Sequence, residues 1–267
     1  MMRTVLLSAA LAVLCLPMRP VQAQDNQENK DNKETVNAAE IIQKFAAKEA
    51  EFKAARSNYT YTQTVKMEEL DPPPTGMWYE VDDIIFSPDG KRSEHVVKAP
   101  VPNLQHLVLT PEDAADLRDV QPFVLTSSDI NLYNVNYVGR EKVDDIGCFT
   151  FSVKPKKMEK GKRYFEGQIW VDDRDYQIVK TYGKGVGIVG KDNLFPKFET
   201  YREQIDGKYW FPTYTHADDT LHFQNPPQNV HIRMTVKYQD YKKFVGKSTI
   251  TYGNTIEDTP PPPKKKQ

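Results

Sequence analysis

Three histidines, His216, His222 and His231, with Asp218 and Asp219 between the first two, are the residue types that a metal ion or a general base would use. Zinc needs three or four such side chains converging within about 2 Å of one point. With Asp218-Asp219 read as a hairpin turn, His216 pairs near Leu221 and His222 near Thr215. The two rings then point to opposite faces, and no metal site is expected. Asp172, Asp173 and Asp175 are calcium-type ligands, but they lack the alternating acidic loop with its distal Glu and are expected to form a turn. Asp82 and Asp83 are neighbours in a strand pattern, so their carboxylates face opposite ways. Gly183-Lys184-Gly185-Val186-Gly187 follows a strand but opens no helix, so it is expected to be a flexible loop rather than a phosphate cradle. Cys148 alternates with Phe149, Phe151 and Val153 and has no His/Asp pattern around it, which marks a small semi-buried residue rather than a nucleophile. No catalytic residue and no cofactor emerges, and an enzyme is not expected.

The elements that carry these residues are mostly strands. Asn37 is placed to cap a first helix, with Glu40 reaching back from three residues on. Ile41, Ile42, Phe45 and Phe52 then form its apolar stripe, while Lys44, Lys48, Glu49, Glu51 and Lys53 take the solvent side, to about Ala55. From Asn58 the period changes to two, with Tyr59, Tyr61, Gln63, Val65 and Met67 on one face. Strands follow at Met77 to Phe86 and Lys91 to Lys98, around a Ser87-Pro88-Asp89-Gly90 turn. Thr110 and Pro111 start a second, short helix to about Asp119. Strand patterns then resume at Leu132 and continue to Val230–Tyr238, with a hairpin at Asp206-Gly207 and a last strand near Lys247 to Tyr252. The expected fold is mainly β (α+β): a curved antiparallel sheet of about ten or eleven strands forming an unclosed barrel, with helices covering the concave side.

The ends of the chain speak to compartment. Arg3, the apolar run Thr4 to Leu16 and the small residues of Val21-Gln22-Ala23 are expected to be a cleavable signal peptide over residues 1–23. Residues 24–35 contain almost only polar side chains and are expected to be a disordered leader, and residues 259–267 (TPPPPKKKQ) a disordered tail, leaving one domain over 36–258. Losing Arg3 and Arg19 leaves 36 − 2 = 34 basic against 37 acidic residues, a net charge near −3. That balance argues against nucleic acid as a partner. Nothing in the processed chain is expected to span a membrane, and its single cysteine forms no internal disulfide.

Fourteen Tyr, twelve Phe and three Trp are many for such a chain. The residues Tyr61, Val65, Phe149, Phe151, Ile169, Trp210, Tyr214 and Met234 either fill a closed core or line a wide cavity in the curl of the sheet. Val138-Gly139-Arg140-Glu141-Lys142-Val143-Asp144-Asp145-Ile146-Gly147-Cys148-Phe149, Gly167-Gln168-Ile169-Trp170-Val171-Asp172, Phe198-Glu199 and Phe211-Pro212 resemble the periplasmic outer-membrane lipoprotein-sorting family, the LolA-like carriers, over about Ala38 to Tyr252. The resemblance implies an unclosed antiparallel barrel capped by helices, with a hydrophobic cavity for acyl chains that the eight residues above would line. It further implies a periplasmic carrier of lipids or lipoproteins, or alternatively a lipid-sensing module that binds an envelope receptor or membrane regulator. This chain is longer than typical carriers, partly in its tails and partly in the Asp71–Gly76 and Gly183–Pro196 connections.

Overall fold

The computed structural model describes residues 36–87, 91–187 and 194–244. Helix α1 (Ala38–Arg56) begins where Asn37 accepts a hydrogen bond from the Glu40 amide at 3.3 Å. Its buried stripe is Ile41, Phe45, Ala46, Glu49 and Phe52, so Glu49, expected at the solvent side, points inward. The spacing explains this: Glu49 lies four residues after Phe45 and three before Phe52, on the face those two define.

The strands are β1 (Tyr59–Asp71), β2 (Met77–Phe86), β3 (Arg92–Lys98), β4 (Tyr133–Val143), β5 (Ile146–Pro155), β6 (Tyr164–Asp172), β7 (Ile178–Val186), β8 (Phe198–Ile205), β9 (Tyr209–Gln224) and β10 (Pro227–Lys243). They form one antiparallel sheet in the order β3-β2-β1-β10-β9-β8-β7-β6-β5-β4. Every strand pairs with a chain neighbour except at β1–β10, where the chain returns on itself, and the edges β3 and β4 do not meet. The sheet is therefore open, as expected, with ten strands among the described residues. The expected strand at Lys247–Tyr252 lies outside the described residues, as do residues 1–35 and 259–267.

Local turn chemistry is as read from the sequence at Asp206-Gly207, where both residues take positive φ (55° and 64°), the geometry of a two-residue hairpin turn. At Asp172, the carboxylate caps a turn by accepting the amides of Arg174 and Asp175. Other expectations are corrected. Asp218-Asp219 is no turn: β9 runs on to Gln224, because Thr215, Ala217 and Leu221 continue the buried alternation past it. His216 and His222 thus share a face, and His231 on β10 bonds Asp218 at 2.6 Å. Gly183 and Gly185 belong to β7 rather than to a loop. The second helix is shorter than expected: α2 (Pro111–Ala115) gives way to a π turn at Asp116–Val120, closed by the Gln121 amide on the Asp116 carbonyl at 2.9 Å.

Helix α1 packs into one half of the concave side, where Phe45 meets Phe151 at 5.5 Å between ring centroids and Phe52 meets Phe211 at 5.1 Å. Cys148 faces away from α1, buried with Trp170 and Val179, and burial pushes its thiol up to about 11, far from a reactive thiolate. On β2, Asp82 is buried, its Oδ1 has no hydrogen-bond partner among the described residues, and burial, with Glu80 beside it, pushes its carboxyl up to about 6. A carboxyl raised in the folded state holds its proton more tightly than the unfolded chain does, so ionising it weakens the fold as pH climbs from about 4 to 6. Asp82→Asn is expected to unfold at higher urea than the parent at pH 7.5, with the gain shrinking steadily towards pH 4. A gain independent of pH would contradict this.

Candidate functional site

The connection between the two edge strands, residues 99–132, must cross the whole sheet, and it does so over the concave face. Its first part is a strap held from below. Glu69 of β1, itself buried, accepts the backbone amides of Gln105 (2.8 Å), His106 (2.8 Å) and Leu107 (2.9 Å). Three amides on one carboxylate satisfy donors that a strap without regular structure would otherwise bury unpaired. His106 bonds the Pro74 carbonyl at 2.9 Å through Nε2 and Gln228 at 2.9 Å through Nδ1. A carbonyl demands a donor, so the ring hydrogen sits on Nε2 and Gln228 donates to Nδ1. Gly76 lies under the strap, where a Cβ would collide with the Asn103 carbonyl.

The second part is clamped by one arginine. Arg163 grips Asp116 of the π turn with two parallel bonds, Nε to Oδ1 at 2.8 Å and Nη2 to Oδ2 at 2.7 Å. The same guanidinium stacks 3.7 Å from the Phe195 ring centroid, in the segment before β8. Gly185 is required beside them, since a Cβ there would strike both Asp116 Oδ2 and Arg163 Nη2.

Beneath the strap, the π turn and the Leu194–Pro196 segment lies a cavity of about 310 Å³. Its floor is sheet: Met67 of β1, Leu221 and Phe223 of β9, and Ile232 and Met234 of β10. Leu107, Leu109, Leu117 and Phe195 close it from above. Gln121 places an amide at this wall, its Nε2 3.6 Å from Met234 Sδ and its Oε1 without a hydrogen-bond partner among the described residues. His106, Asp113 and Asp116 also line it, but each is engaged: His106 and Asp116 as above, and Asp113 by the Thr110 amide at 2.7 Å. Among the described residues no three His, Cys, Asp or Glu side chains stand close enough to hold a metal ion.

Of the eight residues expected to line a cavity, the structure brings only Met234 to this one. Phe151 packs against Phe45 of α1, and Phe149, Ile169 and Val65 are buried in the core. Tyr61 meets Tyr238 and Tyr241 in tilted ring contacts and borders a second, smaller cavity. Trp210 packs with Cys148, Trp170 and Val179 on the face turned away from α1, donating Nε1 to Asp175 at 2.9 Å. Tyr214 stacks on His216, opposite the face that Leu221 presents to the cavity. The strap residues were missed because Val101–Thr110 has no period. Their one signal was Leu107-Val108-Leu109, three apolar residues directly before a helix cap.

The ten-stranded antiparallel sheet that stays open, with a helix on its concave side, is the unclosed barrel that the sequence led us to expect. No protein-family model and no curated protein matches the sequence. Among solved structures the chain is similar to a DUF1329 family protein from Desulfovibrio piger, with a TM-score of 0.44 and 14% identity over 78% of this chain and 94% of that one. It is also similar to an outer membrane lipoprotein-sorting protein domain from Vibrio parahaemolyticus (TM-score 0.38, 14% identity, 75% and 92% covered). A LolA superfamily protein from Nitrosomonas europaea follows (TM-score 0.34, 13% identity, 80% and 96% covered). No helix among the described residues is long and apolar enough to cross a membrane.

Proposed function

We propose that this protein is a periplasmic, non-enzymatic carrier that holds acyl chains of a lipid or lipoprotein in the cavity under the strap. The observation that carries the reading is the cavity itself: about 310 Å³, walled by Met, Leu, Ile and Phe, on the concave side of an open sheet. Each methylene moved from water into such a site contributes about 0.8 kcal/mol, so a chain of about ten carbons gains on the order of 8 kcal/mol before the costs of association. The titratable residues of the wall are committed to holding the strap and the π turn, which leaves them without the mutual geometry that acid–base chemistry needs. The export features of residues 1–23 support the compartment.

Titration of the delipidated protein with a fluorescent fatty-acyl probe is expected to saturate at one chain-binding site, with competition by an unlabelled fatty acid. Absence of binding would refute the reading. A second reading, a lipid-sensing module that docks a membrane regulator, is favoured by one feature: β3, paired with β2 on one side, is an edge strand among the described residues, with Val96 and Val97 more than half exposed. In-cell crosslinking separates the two, since a carrier traps lipoproteins or lipids and a sensor traps one membrane protein.

A further inference from the structure

The concave side holds a second cavity, of about 210 Å³ and opposite character. Its wall carries three guanidinium groups, from Arg56 at the end of α1, Arg92 at the start of β3 and Arg118 in the π turn. Among the described residues no carboxylate lines it. Tyr61, Phe86 and Tyr241 supply its aromatic sides, and Arg56 stands 5.8 Å from the Phe86 ring centroid.

Three cations brought together from distant parts of the chain repel one another, and the protein offsets this only in part. Arg92 ion-pairs with Glu94 and donates Nη2 to Gln63 Oε1 at 2.6 Å. Glu49, at the same end of the concavity, pairs with Arg202 and also acts on Arg56. Arg118 forms no ion pair or hydrogen bond among the described residues, whereas Asp116, two positions before it, is gripped by Arg163. Guanidinium forks match the paired oxygens of a phosphate or carboxylate, and in a partly buried cavity such bonds are strong.

The two cavities share a wall. Leu117 and Gln121 line the apolar one, while Arg118 and Pro122, one position on in each case, line the cationic one. On β1, Met67 in the first and Tyr61 in the second lie on the same face, six residues or about 20 Å of strand apart.

We infer that the cationic cavity binds an oxyanion, a phosphate or carboxylate group held by Arg118 together with Arg56 and Arg92. The anion has two possible sources. One is the headgroup of an amphiphile whose chain occupies the apolar cavity, a version that rests on the acyl-carrier reading. The other is a free anion.

Calorimetric titration of the full chain with a lysophosphatidic acid, with the monoacylglycerol of the same chain length and with inorganic phosphate distinguishes them. The headgroup version is expected to give a preference of about tenfold or more for the phosphate-bearing lipid, roughly the ratio one charge-assisted contact supplies. Arg118→Gln, and independently Arg92→Gln, should abolish that preference and leave monoacylglycerol affinity unchanged. Inorganic phosphate binding that is lost in both variants, without any lipid preference, identifies a free anion. If monoacylglycerol binds to none of the proteins while phosphate binds through Arg118, the acyl reading falls and the anion site stands. Equal behaviour of the parent and both variants towards all three ligands overturns the inference.

Discussion

Arg202→Met is expected to destabilise the protein by about 3–5 kcal/mol, the range found when one partner of a buried ion pair is removed. Arg202 of β8 and Glu49 of α1 are almost entirely buried, with side chains about 1% exposed, and Arg202 Nη1 donates to both Glu49 oxygens at 3.0 and 3.1 Å. Four parts of the chain meet there. Glu49 also accepts the Ile178 amide of β7 at 3.4 Å. Arg202 donates Nη2 to the Phe123 carbonyl in the crossing connection, and its guanidinium lies 5.2 Å from the Phe52 ring centroid on α1. The pair thus fastens the helix, the sheet and the crossing segment together.

Methionine fills the space of the arginine stem but leaves the Glu49 carboxyl buried without a counter-charge. Burial already raises the Glu49 carboxyl above the usual range, against the pull of Arg202, so losing Arg202 raises it further. The sign follows from linkage. A carboxyl that holds its proton more tightly when folded weakens the fold as pH rises from its unfolded value, near 4.5, through its folded one. The variant's deficit should therefore be largest at pH 8 and smallest at pH 4. For a domain of this size each kcal/mol lowers the melting temperature by about 2–4 °C. Glu49→Met combined with Arg202→Met should recover much of the loss, because an apolar pair of similar volume needs no desolvation of charge. A single variant that melts with the parent at every pH would show that the pair fastens nothing.

The pair also shows where sequence reading stops. Alternation along β1, the Asn37 cap and the Asp206-Gly207 turn are local: each is decided by residues within a few positions, and each is found as read. Glu49 is decided by a partner 153 residues away, and a charged residue on a helix with a polar face defaults to solvent until that partner is known. Asp218-Asp219 reads as a turn for a related reason. Two adjacent aspartates suit a loop, yet they sit in mid-strand because Asp218 is met across the ladder by His231 and by Arg233 at 2.8 Å, and Asp219 accepts the Lys197 amide at 2.9 Å. The candidate site was the least legible part. Alternation groups Trp210, Tyr214 and Met234 into strand faces, but it does not say which end of the concavity α1 fills. With α1 packed in the half around Phe151, the apolar cavity lies in the other half, under a strap whose anchor, Glu69 on three backbone amides, leaves no mark in the strap's own sequence.

Met234→Trp tests that division of the concavity. Met234 sits at the cavity floor on a central strand, flanked by Met67 across the ladder, with Gln121 above it. An indole there would project into the cavity rather than into packed core. Displacing about three methylenes of a bound chain removes roughly 2.4 kcal/mol, an affinity loss of about fiftyfold. The fold itself should lose little, because the added ring takes space that is not close-packed, in contrast to the 1–3 kcal/mol typical of overpacking a filled core. Tyr214→Ala provides the contrast on the same sheet: it removes an aromatic that stacks on His216 on the opposite face, so acyl-probe affinity should stay at the parent value. The pair of variants separates a cavity under the strap from a general affinity of aromatic surface for lipid. If Tyr214→Ala weakened the probe and Met234→Trp did not, acyl chains would bind on the outer face of the sheet and the strapped cavity would have no part in holding them.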